Sequence, residues 1–281
     1  MRVLVIGGTG KIGRHLVHGL RAAGVEATAA SRHPEADGIA LGMADAHAVE
    51  AAAKGFDAAY LTTPLGPDEG EIGTAAVAAL RRAGVGKIVY LAIHNLEAMR
   101  EIPHFETKIP VKQAVLSEAS GVVLQPNFFF QNDLMALPAI LDAGIYPLPI
   151  GTAGVWSIDV ADIARAAVNA LTGDGWNGRA VPLCGPQKLT GPMIAQNWSS
   201  ATGRAVIYPG DDVAPFVAAM RAQIPGFTDW MANDFTLMMQ ITQRDGCPAT
   251  EEDRAATEAI VGQKLIRHSE FAANALKENR S

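Results

Sequence analysis

The chain has 281 residues, 49% hydrophobic and 19% charged, with 23 Lys+Arg against 29 Asp+Glu for a formal net charge of −6. That balance supports a sizeable buried core and excludes disordered, coiled-coil and collagen-like chains. With no basic cluster, phosphate-backbone binding is excluded as the main task, because such affinity comes from grouped Lys and Arg.

Two distant cysteines, Cys184 and Cys247, exclude a disulfide framework and suit a reducing compartment. Arg2-Val-Leu-Val-Ile6 runs straight into glycines without the layout of a signal peptide, and no apolar stretch approaches the ~20 residues of a membrane span. A cytoplasmic protein with neither nucleic-acid nor membrane partners is expected.

Val3–Ile6 is the first strand candidate, followed by a helix from Lys11 to Ala23 and a strand from Val25 to Ala30. A short apolar piece at Ile39–Leu41 precedes a helix over Ala46–Lys54. Asp57–Leu61 reads as a strand, and Asp68–Ala83 as a helix with Ile72, Ala76, Ala79 and Leu80 at helical spacing. Lys87–Ala92 and Gly121–Leu124 are further strands, separated by a helix ending near Ala119. Strands that read as continuous apolar runs are buried on both faces. Their alternation with helices predicts an α/β fold built on a doubly wound parallel sheet. Beyond Gln131 prolines and glycines loosen the pattern. A helix over Asp159–Leu171 restores it, with Asp159 as a cap and Asp162 as a first-turn carboxylate. Thr190–Thr202 and a Phe/Met/Trp-rich stretch from Phe216 to Met239 follow. The expected division is 1–143 with 154–185 as a dinucleotide-binding domain, and 144–153 with 186–281 as a small, mainly helical substrate lobe.

The segment Gly7-Gly-Thr-Gly10-Lys-Ile-Gly13 ends a predicted strand and opens a predicted helix. Glycines there allow a tight turn and close approach of a pyrophosphate, while the helix N-terminus offers free N–H donors. Gly7, Gly8, Thr9, Gly10, Lys11 and Ile12 are therefore candidate cofactor contacts. An NAD site carries Asp or Glu at the end of the second strand to bind the ribose 2′-OH. This chain has Ser31-Arg32-His33. The Arg32 fork can pair with a 2′-phosphate and Ser31 can add a hydrogen bond, so NADP(H) is the expected cofactor. Asp45 could accept from the adenine amino group or cap the helix at Ala46. Leu61-Thr-Thr-Pro64 closes the fourth strand at the same sheet edge, making Thr62, Thr63 and Pro64 further candidates. His15 and His18, one turn apart, lack further ligands, and no metal is expected.

These segments, with Val89-Tyr-Leu91, His104-Phe-Glu-Thr-Lys108, Pro126-Asn-Phe-Phe-Phe-Gln-Asn132, Ser157-Ile-Asp-Val-Ala-Asp-Ile163 and Cys184-Gly-Pro186, resemble the NmrA-like branch of atypical short-chain dehydrogenases over most of the chain. The likeness is greatest to bacterial quinone reductases and triphenylmethane-dye reductases. It implies a Rossmann-type domain, and it implies that Asn127 and Phe128 lie against the nicotinamide. Ordinary short-chain dehydrogenases use Tyr-x-x-x-Lys, but here His104 stands four residues before Lys108, and none of the four tyrosines has that spacing. Lys108 is the expected catalytic residue, its ammonium holding the ribose hydroxyls. His104, one turn earlier, is a candidate proton donor.

The expected function is an NADPH-dependent reductase of a small aromatic or quinone-like electrophile. Monomer and homodimer both remain open. The rival is a non-catalytic NADP(H)-sensing regulator, which needs the same cofactor grip. Three adjacent phenylalanines, Phe128–Phe130, and the stripe Phe227, Met231, Phe235, Met238 and Thr242 read by default as core. Some of these side chains could instead wall an apolar pocket.

Overall fold

The computed structural model describes residues 1–278. The chain packs as two compact units. One comprises Met1–Pro126, Val160–Leu183 and Ala255–Lys264; the other comprises Asn127–Asp159, Cys184–Arg254 and the chain from Leu265 onward.

The first unit is built on seven parallel strands: β1 (Arg2–Ile6), β2 (Glu26–Ser31), β3 (Ile39–Ala40), β4 (Ala58–Leu61), β5 (Lys87–Leu91), β6 (Val122–Pro126) and β7 (Arg179–Leu183). They lie in the order β3-β2-β1-β4-β5-β6-β7. β1 is central, with Val3 beside Ala27 of β2 and Ala58 of β4. The chain builds outward from β1 to β3, then crosses to β4 on the other side. This reversal opens a crevice at the carboxyl ends of β1 and β4. β4 and β6 are buried at every position, as the apolar runs Ala58–Leu61 and Val122–Leu124 require. β7 is not among the predicted strands. Pro182 interrupts its pattern, and an edge strand can carry a proline without losing a ladder bond.

The flanking helices are α1 (Lys11–Ala22), α2 (Ala46–Ala53), α3 (Glu69–Arg82), α4 (Pro103–Leu116) and α5 (Val160–Thr172). α3 and α4 pack at close range because two glycines remove side chains from the interface. A Cβ on Gly70 would stand 2.8 Å from the Thr107 carbonyl oxygen, and one on Gly73 would stand 2.5 Å from Val111 Cγ2. Pro110 lies inside α4, which begins at Pro103. Its missing N–H leaves the fourth carbonyl before it without the usual helical donor. Asp162 lies in the first turn of α5 as expected, where it is fully buried and accepts from Arg165 Nη1.

The second unit holds α6 (Gly191–Thr202), α7 (Val213–Gln223), α8 (Asp229–Asp245) and α10 (His268–Glu278); α9 (Glu251–Val261) belongs mostly to the first. Residues 127–143 and 154–159, grouped by composition with the sheet, pack instead in the second unit. Pairing of Ile158 with Phe128 and Phe130, and of Val155 with Leu189, holds them there. Residues 255–264 pack in the first unit, tied by Asn169 Nδ2 donating to the Ile260 carbonyl and Thr257 Oγ1 donating to the Pro182 carbonyl. The Phe216–Met239 stretch divides into α7 and α8 at Pro225-Gly226, where Gly226 takes φ +73° and Thr228 caps α8. Asp133 is the polar centre of the second unit. It accepts from Tyr146 Oη at 3.0 Å, from Trp198 Nε1 at 2.8 Å and from His268 Nε2 at 2.8 Å. Among the described residues no helix is long and apolar enough to cross a membrane.

Candidate active site

At the carboxyl end of β1 the backbone leaves no room for side chains. Gly7 takes φ +86°, and a Cβ there would lie 2.2 Å from Thr62 Cγ2. On Gly8 a Cβ would meet Ala29 Cβ at 2.6 Å, and on Gly13 it would meet the Gly7 carbonyl oxygen at 2.2 Å. The loop is pinned from both sides: Gly7 N–H donates to the Ala30 carbonyl and Gly10 N–H to that of Gly7. Gly10 is the N-cap of α1, and no side chain caps that end, the arrangement that suits an anion at a helix N-terminus. Thr9 is half-buried and Lys11 exposed. The Ile12 side chain turns into the core at 7% exposure, so only its main chain can reach a ligand.

Beyond β2, Arg32 is exposed and has no hydrogen-bond or ion-pair partner among the described residues. The Ser31 hydroxyl, at the end of β2, is buried and without a partner. A buried hydroxyl left unpaired is costly, which marks it as a group awaiting an acceptor. Asp45 caps α2, accepting from His47 N–H at 2.9 Å and Ala48 N–H at 3.0 Å. Pro64 is exposed.

Thr62 and Thr63 carry the site across to α3 and α4. Thr63 Oγ1 donates to Glu69 Oε1, which also accepts from Lys108 Nζ. Lys108 Nζ lies 3.3 Å from Thr63 Oγ1, Tyr90 Oη lies 3.2 Å from the same oxygen, and Thr107 Oγ1 donates to Glu69 Oε2 at 3.0 Å. Glu69 is fully buried and Lys108 is 8% exposed. Burial pushes the Tyr90 phenol up, helped by the adjacent Glu69 carboxylate. Glu69 was not legible as part of this site. An acid at the head of a helix is ordinarily read as complementing the helix dipole, and only the close approach of α3 to α4 brings it to Lys108.

Other expected residues stand apart from this cluster. His104 is on α4 one turn before Lys108, but its ring is buried and packs edge-on against Phe105 at 4.7 Å between centroids. In the second unit, the Asn127 amide serves local backbone: Nδ2 donates to the Cys247 carbonyl at 3.1 Å, and Oδ1 accepts from Phe128 N–H and Trp156 N–H. Phe130 is core, against His268 and Phe271. Phe128 instead lines a cavity of about 470 Å³ within the second unit, with Met135, Phe216, Phe235, Met238 and Met239 among its walls. Phe235 and Met238 of the predicted stripe are thus half-buried cavity walls, whereas Thr242 is core. None of the lining side chains is ionisable.

The family model described as the NmrA-like family matches residues 1–258. An NAD(P)H azoreductase of Xenophilus azovorans is 34% identical over 218 residues, covering 73% of this chain and 76% of that protein. A (4-alkanoyl-5-oxo-2,5-dihydrofuran-3-yl)methyl phosphate reductase of Streptomyces griseus is 32% identical over 239 residues, covering 79% and 82%. Among solved structures, the NADPH complex of an NADPH-dependent quinone oxidoreductase from Escherichia coli superposes with a TM-score of 0.81 at 21% identity, covering 98% of this chain and 99% of that one. At that identity the likeness establishes the fold.

Proposed function

The chain belongs to the NmrA-like family, and from that premise we propose that it is an NAD(P)H-dependent oxidoreductase, NADPH-preferring, that reduces a small aromatic or quinone-like electrophile. The observation that carries this reading is the sheet edge of the first unit. A loop with no room for side chains, an uncapped helix N-terminus, an unpartnered Arg32 and the Thr62–Thr63–Lys108 cluster stand on neighbouring elements there.

The residues fit a dinucleotide. Gly7, Gly8 and Gly10 admit the pyrophosphate, and the N-terminal end of α1 favours its negative charge. Arg32 and Ser31 bind the 2′-phosphate. Thr62 and Thr63 border the cleft, and Lys108 holds the ribose hydroxyls. When bound, NADPH supplies the hydride, and the protein supplies orientation and exclusion of water.

The acceptor is held in the apolar cavity of the second unit, whose 470 Å³ suits a small organic molecule. Methionines adapt their shape to flat ligands of differing outline. With no ionisable wall, the proton that completes reduction comes from water. A quinone-like acceptor tolerates this, because its reduced oxygens are readily protonated.

The test is oxidation of NADPH, followed by its absorbance, against quinones, azo dyes, enones and triarylmethane dyes, with NADH in parallel and Lys108→Ala as control. Turnover that favours NADPH and falls in the variant is expected. Tight NADPH binding without turnover of any acceptor would overturn the reading in favour of a dinucleotide sensor.

A further inference from the structure

We propose that Glu69 is the positioning residue for Lys108, anchoring its ammonium by a buried ion pair and leaving one N–H for the cofactor. The proposal rests on reading Lys108 as the residue that holds the ribose hydroxyls. An ammonium has three donors and no acceptor. Two of them are taken within the protein, by Glu69 Oε1 and Thr63 Oγ1. The Lys108 side chain is 11% exposed and that of Glu69 is 0% exposed, so this charge has almost no water to stabilise it. A buried ammonium without a counter-charge is driven toward its neutral form, in which it donates poorly to a hydroxyl.

Glu69 is itself held in place. Thr107 Oγ1 fixes Oε2, Thr63 Oγ1 shares Oε1, and the α3–α4 approach at Gly70 and Gly73 prevents either helix from sliding away. The cluster adjoins the glycine loop along the chain. Thr63 follows Thr62, whose Cγ2 occupies the space that a Cβ on Gly7 would need. A carboxylate serving stability alone has no need to converge with the lysine and threonine that border a cofactor cleft. The other titratable groups around Lys108 are Tyr90 from β5, kept neutral by burial, and His104 one turn earlier on α4.

The experiment is a double-mutant cycle read by NADPH binding across pH, using Glu69→Gln, Lys108→Met and the pair together. Glu69→Gln keeps the shape and removes the counter-charge. It is expected to weaken NADPH binding by about 10- to 100-fold at neutral pH, the range of one charge-assisted hydrogen bond. The weakening should grow as pH rises, because the unpaired lysine then loses its proton. In the Lys108→Met background the same change should alter affinity by less than about threefold and add no pH dependence. A pH dependence arising elsewhere in the protein would persist in that background, which separates the two origins. Equal loss in both backgrounds, or an unchanged pH profile in Glu69→Gln, overturns the proposal. Should Glu69→Gln fail to fold, Glu69→Asp retains the charge on a shorter arm. A loss of about 3- to 10-fold that vanishes in the Lys108→Met background supports the proposal, and an equal loss there refutes it. Failure of the unmodified protein to bind NADPH would reject the cofactor reading itself, an outcome distinct from both.

Discussion

Replacing Asp133 tests whether one buried carboxylate organises the second unit. Asp133 is 3% exposed and accepts three hydrogen bonds, from Tyr146, Trp198 and His268, whose side chains are themselves buried. Asn197 Nδ2 lies 3.1 Å from His268 Nδ1, which turns His268 Nε2 toward Asp133. Asp133→Ala strands three buried donors at about 1–3 kcal/mol each, and because they share one carboxylate the total is expected at about 3–6 kcal/mol. Asp133→Asn keeps one acceptor oxygen and the packing volume, and is expected to cost about 1–2 kcal/mol. Urea unfolding followed by tryptophan fluorescence reads both. At a slope of roughly 2 kcal/mol/M, the alanine variant moves the midpoint by about 2 M. The same segment, Phe130–Ala136, contributes Asn132, Met135 and Ala136 to the cavity wall, so the acceptor KM should rise while NADPH affinity is kept. An alanine variant within about 1 kcal/mol of the unmodified protein, or an asparagine variant as costly as alanine, would refute the reasoning.

Arg32→Ala removes the cation assigned to the 2′-phosphate. NADPH affinity is expected to fall by about 10- to 100-fold with NADH affinity nearly unchanged, read by fluorescence titration of each, and equal loss for both would refute the assignment. Tyr60, Tyr90 and Tyr146 are each pushed above the ordinary phenol range, chiefly by burial. Below about pH 10 neither folded nor unfolded phenols ionise, so these three leave stability indifferent to pH there. Above it the unfolded chain releases protons that the native state keeps, and stability falls by roughly 4 kcal/mol per pH unit for the three. Tyrosinate absorbance from them should therefore appear together with loss of the fold, whereas their gradual titration in the folded protein would contradict this burial.

The elements that carry the fold were legible because their signals are local. Val3–Ile6, Ala58–Leu61 and Val122–Leu124 read as unbroken apolar runs, and the glycines of the first turn and Arg32 after β2 fall within one strand–helix–strand unit. Backbone conformation and sheet position there follow from neighbours in the chain. Three features were settled by tertiary structure alone, each by contacts between residues far apart in sequence. Glu69 meets Lys108 across 39 positions because Gly70 and Gly73 let two helices approach, and nothing near Glu69 in sequence announces it. Asp133 gathers partners as distant as His268, 135 residues on. The apolar cavity draws its walls from Phe128 to Met239, so the same spacing that predicted a packed stripe left Phe235 and Met238 half-buried around open space. Periodicity reports which side of a helix is apolar; whether that side meets another side chain or a cavity is set by packing of elements the local pattern does not contain.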